Sequence, residues 1–94
     1  GVSGSIADKM GNLIDELSNN MQVFAITHLP QIASKGQTHL LVYKEIDTKG
    51  ATVTRIKEIK DDERVLEIAR MLSGAELTAA AKANAQELLK VKVK

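Results

Sequence analysis

Residue types able to move protons, hold metals or attack an electrophile are few in this 94-residue chain, which has two histidines and no cysteine. One histidine stands in Phe24-Ala-Ile-Thr-His-Leu-Pro-Gln-Ile-Ala33, where an apolar run stops at Thr27 and His28 and Pro30 then resets the backbone. In open α/β sheets, ligands bind outside the carboxyl ends of the strands. An imidazole just beyond such an end can donate to phosphate oxygens, or stabilise the charge that grows during phosphoryl transfer. On position alone, a loop histidine satisfied by its surroundings accounts for His28 more simply.

The other candidates are weaker. His39 lies on a predicted strand beside Leu40 and Leu41 and reads as a packing or surface residue. The two histidines are eleven positions apart, outside the short spacings of helical or finger metal sites. Asp61-Asp62-Glu63 is acidic, but at a helix start it complements the helix dipole and needs no metal. The sequence contains no G-x-x-x-x-G-K-[ST] phosphate loop, no G-x-G-x-x-G and no nucleophile elbow. The absence of cysteine rules out disulfides and thiolate metal sites within these residues and fits a reducing compartment. No metal ligand is predicted.

The elements that must position His28 follow from apolar spacing. Ile6, Met10, Leu13, Ile14 and Leu17 recur at helical intervals, predicting an amphipathic helix over about residues 5–19. Ser5 with Asp8 resembles a capping box, and Asn19-Asn20 supply the stop. Residues 22–27 read as a strand apolar on both faces, as in a parallel sheet covered on both sides. A short helix follows from Pro30 to about Ser34, ended by Gly36. Residues 38–46 and 51–59 predict a hairpin whose loop is Asp47-Thr-Lys-Gly50, with Gly50 taking a positive φ. Asp61 and Asp62 open a helix carrying Val65, Ile68, Ala69 and Leu72, stopped by Ser73-Gly74. Thr78 caps a last helix with Ala81, Ala85, Leu88 and Leu89 inward.

The predicted fold is therefore α/β, in the order α–β–(short α)–β–β–α–α. A parallel strand needs a parallel neighbour, which one hairpin cannot supply, so this order predicts part of a larger sheet. Aromatics make up only 2% of the chain, so its 44% apolar content must form a core of aliphatic side chains. A net charge of +1 gives no global field directed at nucleic acid or membrane. The alternating lysines from Lys90 to Lys94 read as a solvated end. No apolar run approaches the ~20 residues of a membrane span, and the start lacks the regions of a signal peptide.

"ITHLPQIA", together with the opening "GVSG", resembles the RecN family of bacterial DNA-repair proteins, SMC-like members of the ABC-type ATPases. Arg64-Val-Leu-Glu-Ile-Ala-Arg-Met-Leu72, and Leu77-Thr78 leading to Glu87-Leu-Leu89, resemble that family's terminal helices. The resemblance covers nearly the whole chain. It implies a partial ABC-type ATPase head, with residues 1–94 its carboxyl-terminal part within a P-loop-like arrangement of layered sheet and helices. His28 would be the switch histidine, contacting the terminal phosphate of ATP. Gly1, Ser3 and Gly4 would be the D-loop remainder, approaching the partner's nucleotide across a head–head interface. Thr27 and Gln31, in the same segment, would be further nucleotide-binding residues. Ser3 stands where the SMC-type D-loop usually carries aspartate.

The resemblance further implies ATP and Mg2+ as cofactors of the full-length protein. Its partners would be the amino-terminal half of the head, a second copy through ATP-engaged heads, and DNA, with no membrane and a cytoplasmic, nucleoid-associated location. Phosphate loop, Walker B carboxylates, magnesium ligands and signature motif are all missing from these residues. The chain alone is accordingly expected to bind no cofactor and to be inactive. The alternative is a non-enzymatic α/β interaction module with a structural histidine.

Overall fold

The computed structural model describes residues 3–74 and 76–90. Helix α1 (Gly4–Leu17) is followed by a one-turn helix α2 (Pro30–Ala33), strands β1 (His39–Ile46) and β2 (Thr52–Ile59), and helices α3 (Asp61–Ser73) and α4 (Ala79–Lys90). The chain is thus α/β, in the order α–α–β–β–α–α.

Local signals account for most boundaries. Ser3 is extended and its Oγ accepts the Ile6 N–H at 3.3 Å, so Ser3 caps α1. The expected Ser5–Asp8 box is therefore displaced: Ser5 lies inside the first turn, because the helix starts at Gly4. Pro30 opens α2, where its missing N–H costs nothing. In the hairpin, β1 and β2 pair antiparallel with Val42 opposite Ile56. Asp47 Oδ1 accepts from the N–H groups of Lys49 and Ala51, both at 2.9 Å, and Gly50 takes φ 82°. Gly74 ends α3 at φ 76°, and Thr78 Oγ1 caps α4 by accepting the Ala81 N–H at 3.0 Å.

The core lies between α3 and α4. Ile68, Ala69, Ala81 and Ala85 are buried, with Val65, Leu72, Leu88, Leu89 and, from α2, Ala33 packed around them. The small side chains at Ala69, Ala81 and Ala85 let the two helices approach closely.

Two expectations are corrected. Residues 22–27 form no strand, and among the described residues the sheet contains β1 and β2 only. Phe24 is 85% exposed and Ile26 fully so, and the parallel neighbour that would bury them is absent from the described residues. A strand requires a partner for its N–H and C=O groups, and β1 and β2 are paired with each other. The apolar stripe of α1 is likewise uncovered: Ile6, Met10, Leu13 and Leu17 are exposed, while the helix buries Ala7 and Gly11 instead. The single turn of α2 is too short to cover the wider face. The Cα radius of gyration, 14.5 Å, exceeds the ~12 Å of a compact domain of this length, in keeping with those open faces.

With so small a core, Ile68 carries much of its stability. Ile68→Ala should destabilise the fold by roughly 2–5 kcal/mol, leaving a cavity between two helices. Urea unfolding followed by circular dichroism checks this; a change below about 1 kcal/mol would mean the α3–α4 contact is not the core.

Candidate functional site

His28 sits at the apex of a turn built by its neighbours. Thr27 Oγ1 accepts the Leu29 N–H at 2.9 Å. Leu29 is extended, as a residue before proline must be, and its carbonyl accepts from Ile32 N at 3.1 Å and Ala33 N at 2.9 Å. Pro30 is buried, while His28 is exposed. The Thr27 hydroxyl keeps its own proton for donation. An imidazole and a hydroxyl can each donate a hydrogen bond.

Thr27 and His28 line an open groove of about 840 Å³ between the 22–28 segment and β1. Ile14, Met21, Val23, Ile32, Leu41 and Met71 form apolar parts of its wall, and Lys35, His39 and Glu67 add charged or titratable groups. Ser3, Gly4 and Gln31 do not line it. Gly4 and Gln31 approach where α1 starts: a Cβ on Gly4 would lie 3.9 Å from Gln31 Nε2. Thr27 and His28 are thus together by sequence, and the fold adds only the approach of Gly4 in α1 to Gln31. Gly1 lies outside the described residues, as do Val91–Lys94 of the lysine-rich end. Among the described residues, no group of three or more His, Asp or Glu is placed to hold a metal ion.

Two residues with a bearing on this site carried no role in the sequence reading. Gly11 is the first. A Cβ there would lie 2.6 Å from the carbonyl oxygen of Gln31, so α1 and α2 touch backbone to backbone. A glycine inside a strongly amphipathic pattern is the signal that could have exposed this contact. Arg64 is the second. From α3, its Nη2 donates to the carbonyls of Gly36 at 2.7 Å, Ala33 at 3.2 Å and Ser34 at 3.3 Å, beyond the end of α2. Burial pulls its pKa below the ordinary value. No local signal links residues thirty positions apart.

His39 is half-buried, with a buried Nδ1 that has no hydrogen-bond partner. Burial first, and then the positive charge of Arg64, hold its pKa below the usual 6.5; Glu67 opposes them weakly.

No protein-family model matches the chain. Among curated proteins it is similar to the DNA repair protein RecN of Bacillus subtilis (strain 168), at 46% identity over 90 residues, covering 96% of this chain and 16% of that protein. RecN of Halalkalibacterium halodurans is 43% identical and RecN of Vibrio cholerae 39%, each over 89 residues, 95% of this chain and 16% of theirs. The chain is RecN-like. It spans only about one-sixth of the length of these relatives. Among the described residues, no helix is long and apolar enough to cross a membrane.

Two outcomes follow for this RecN-like segment. Gly→Ala inside a helix ordinarily stabilises by about 0.5–1 kcal/mol, but Gly11→Ala should destabilise, because α2 must move off α1. Urea unfolding gives the sign, and stabilisation would show that the backbones do not touch. For His39, the folded state binds its proton less readily than the unfolded chain. Stability should therefore be full above the unfolded pKa near 6.5 and fall as pH drops below it. His39→Gln should flatten that part of a pH–stability curve; an unchanged slope would locate the proton uptake elsewhere.

Proposed function

We propose that the chain is the carboxyl-terminal part of the ATPase head of a RecN-like protein acting in recombinational repair of DNA double-strand breaks. In this reading His28 donates a hydrogen bond to the terminal phosphate of ATP, within a P-loop-like head of layered sheet and helices. The observation that carries it is the similarity to RecN along 95–96% of the chain, including the Thr27-His-Leu-Pro-Gln31 segment. The exposed turn that presents His28 supports it. So do the uncovered surfaces, since the α1 stripe and residues 22–27 have the character of faces belonging inside a larger domain.

Each residue then has a task. His28 stabilises charge on the transferring group and the Thr27 hydroxyl stands beside it, while the Gln31 amide lies by Gly4 at the start of α1. Gly1, Ser3 and Gly4 border the surface where a second head engages. ATP and Mg2+ would be held mainly by the amino-terminal half of the head, where they would supply the phosphoryl group and the neutralising charge. The chain alone holds neither, and DNA contact and location in the cytoplasm belong to the whole protein. A second reading, a module that docks a partner, is favoured by one observation only: Leu40, Val42, Ile46 and Ile56 are exposed together on one hairpin face.

In the full-length protein, His28→Ala should lower kcat for ATP hydrolysis roughly 10²-fold, the scale of losing one positioned transition-state donor, with a far smaller change in nucleotide affinity. Steady-state hydrolysis alongside nucleotide titration measures both. Unchanged turnover would sink the phosphate-contact assignment and leave the docking module in its place.

A further inference from the structure

We infer that Arg64 is a positioning residue for His28, acting through the one-turn helix α2; the inference rests on the proposed role of His28. A continuous run of hydrogen bonds joins the two. Arg64 Nη2 holds the carbonyls of Gly36, Ala33 and Ser34. Ser34 N donates back to Pro30 O at 3.0 Å, Ala33 N to Leu29 O at 2.9 Å, and Leu29 N to Thr27 Oγ1 at 2.9 Å. Thr27 adjoins His28. Only four residues separate His28 from Ala33, and Pro30 removes one of the soft torsions between them. A displacement at the carbonyl end of α2 is therefore passed on to His28 with little to absorb it.

The anchor is firm at its other end. Arg64 stands one turn before Ile68, which is completely buried against α4. Arginine suits the task because its rigid planar guanidinium fixes the direction of Nη2 toward the three carbonyls, where a lysine ammonium turns freely on its stem. Arg64 does not touch the proposed phosphate position in this arrangement. Its effect on the reaction comes through where His28 stands.

The test uses the full-length protein and steady-state ATP hydrolysis. Arg64→Gln should lower kcat about tenfold or more while KM changes less than about twofold, as expected when a donor is misplaced rather than a substrate contact removed. Arg64→Lys should recover part of that loss. In a His28→Ala background, Arg64→Gln should cost nothing further, since the two act as one unit.

Equal losses from Arg64→Gln with and without His28 would overturn the inference. So would an Arg64→Gln protein that melts earlier yet turns over normally when folded. Should Arg64→Gln not fold, Arg64→Lys decides: a several-fold fall in kcat supports positioning, and wild-type turnover overturns it. The two readings separate on the His28 variant. If His28→Ala leaves turnover intact, both fall; if it lowers turnover and the Arg64 variants do not, only the positioning role falls.

Discussion

The carbonyls that end α2 need donors, and the Arg64 guanidinium, half-buried under the same segment, needs acceptors. A one-turn helix leaves its last C=O groups without intrahelical partners, and a charge drawn out of water is costly unless its donors are matched. The carbonyls meet Nη2 in three bonds, while the buried Nε of the same guanidinium has no hydrogen-bond partner. The rest of the chain is arranged about this contact. On one side α3 continues into the Ile68–Ala69 seam with α4; on the other, α2 carries Ala33 into the same core and touches Gly11 of α1 through the Gln31 carbonyl. Ser34, shut completely from solvent, lies where these pieces converge.

Away from that junction the structure is open. Phe24 and Ile26 lie in solvent, as does the apolar stripe of α1. Apolar side chains so exposed gain nothing from the hydrophobic effect, so these segments keep their places through covalent connection and through the α1–α2 contact. In the proposed head, a neighbouring strand would pair with residues 22–27 and the sheet would cover α1, converting both into core. The groove between residues 22–28 and β1 would then be reshaped, while the Thr27–Ala33 turn, made of local bonds, would keep its form.

That division also explains what could be read from the sequence. The caps at Thr78 and Gly74 and the Gly50 turn were legible because each depends on residues within four positions. The α3 face of Val65, Ile68, Ala69 and Leu72 was legible from its spacing, and its partner Ala81–Ala85 from the same period. Ser5 was taken for the α1 cap because serine occurs twice near the start, and only backbone geometry distinguishes Ser3. Residues 22–27 were read correctly as apolar but wrongly as a strand, since a ladder is made by two segments and sequence shows only one. Arg64 was invisible for the same reason: its partners are 28 to 31 positions away. Within the candidate site, the turn at His28 was readable from Thr27 and Pro30, and the groove beside it was not.

The two histidines make the distinction concrete. Both line the groove, yet they are held in opposite ways. His39 belongs to the hairpin, with a buried nitrogen lacking a partner and a proton disfavoured by burial and by Arg64; its tie to solvent is weak. His28 is exposed at a turn whose backbone is locked on both sides, by the Thr27 hydroxyl before α2 and by Pro30 within it. A group that must meet an incoming anion needs this combination of fixed backbone and accessible ring, because ordering it at the moment of binding would cost side-chain entropy. The same Arg64 that disfavours protonation of His39 also holds carbonyls of the segment that follows His28. Whatever occupies the groove therefore acts on a turn that is already braced from α3.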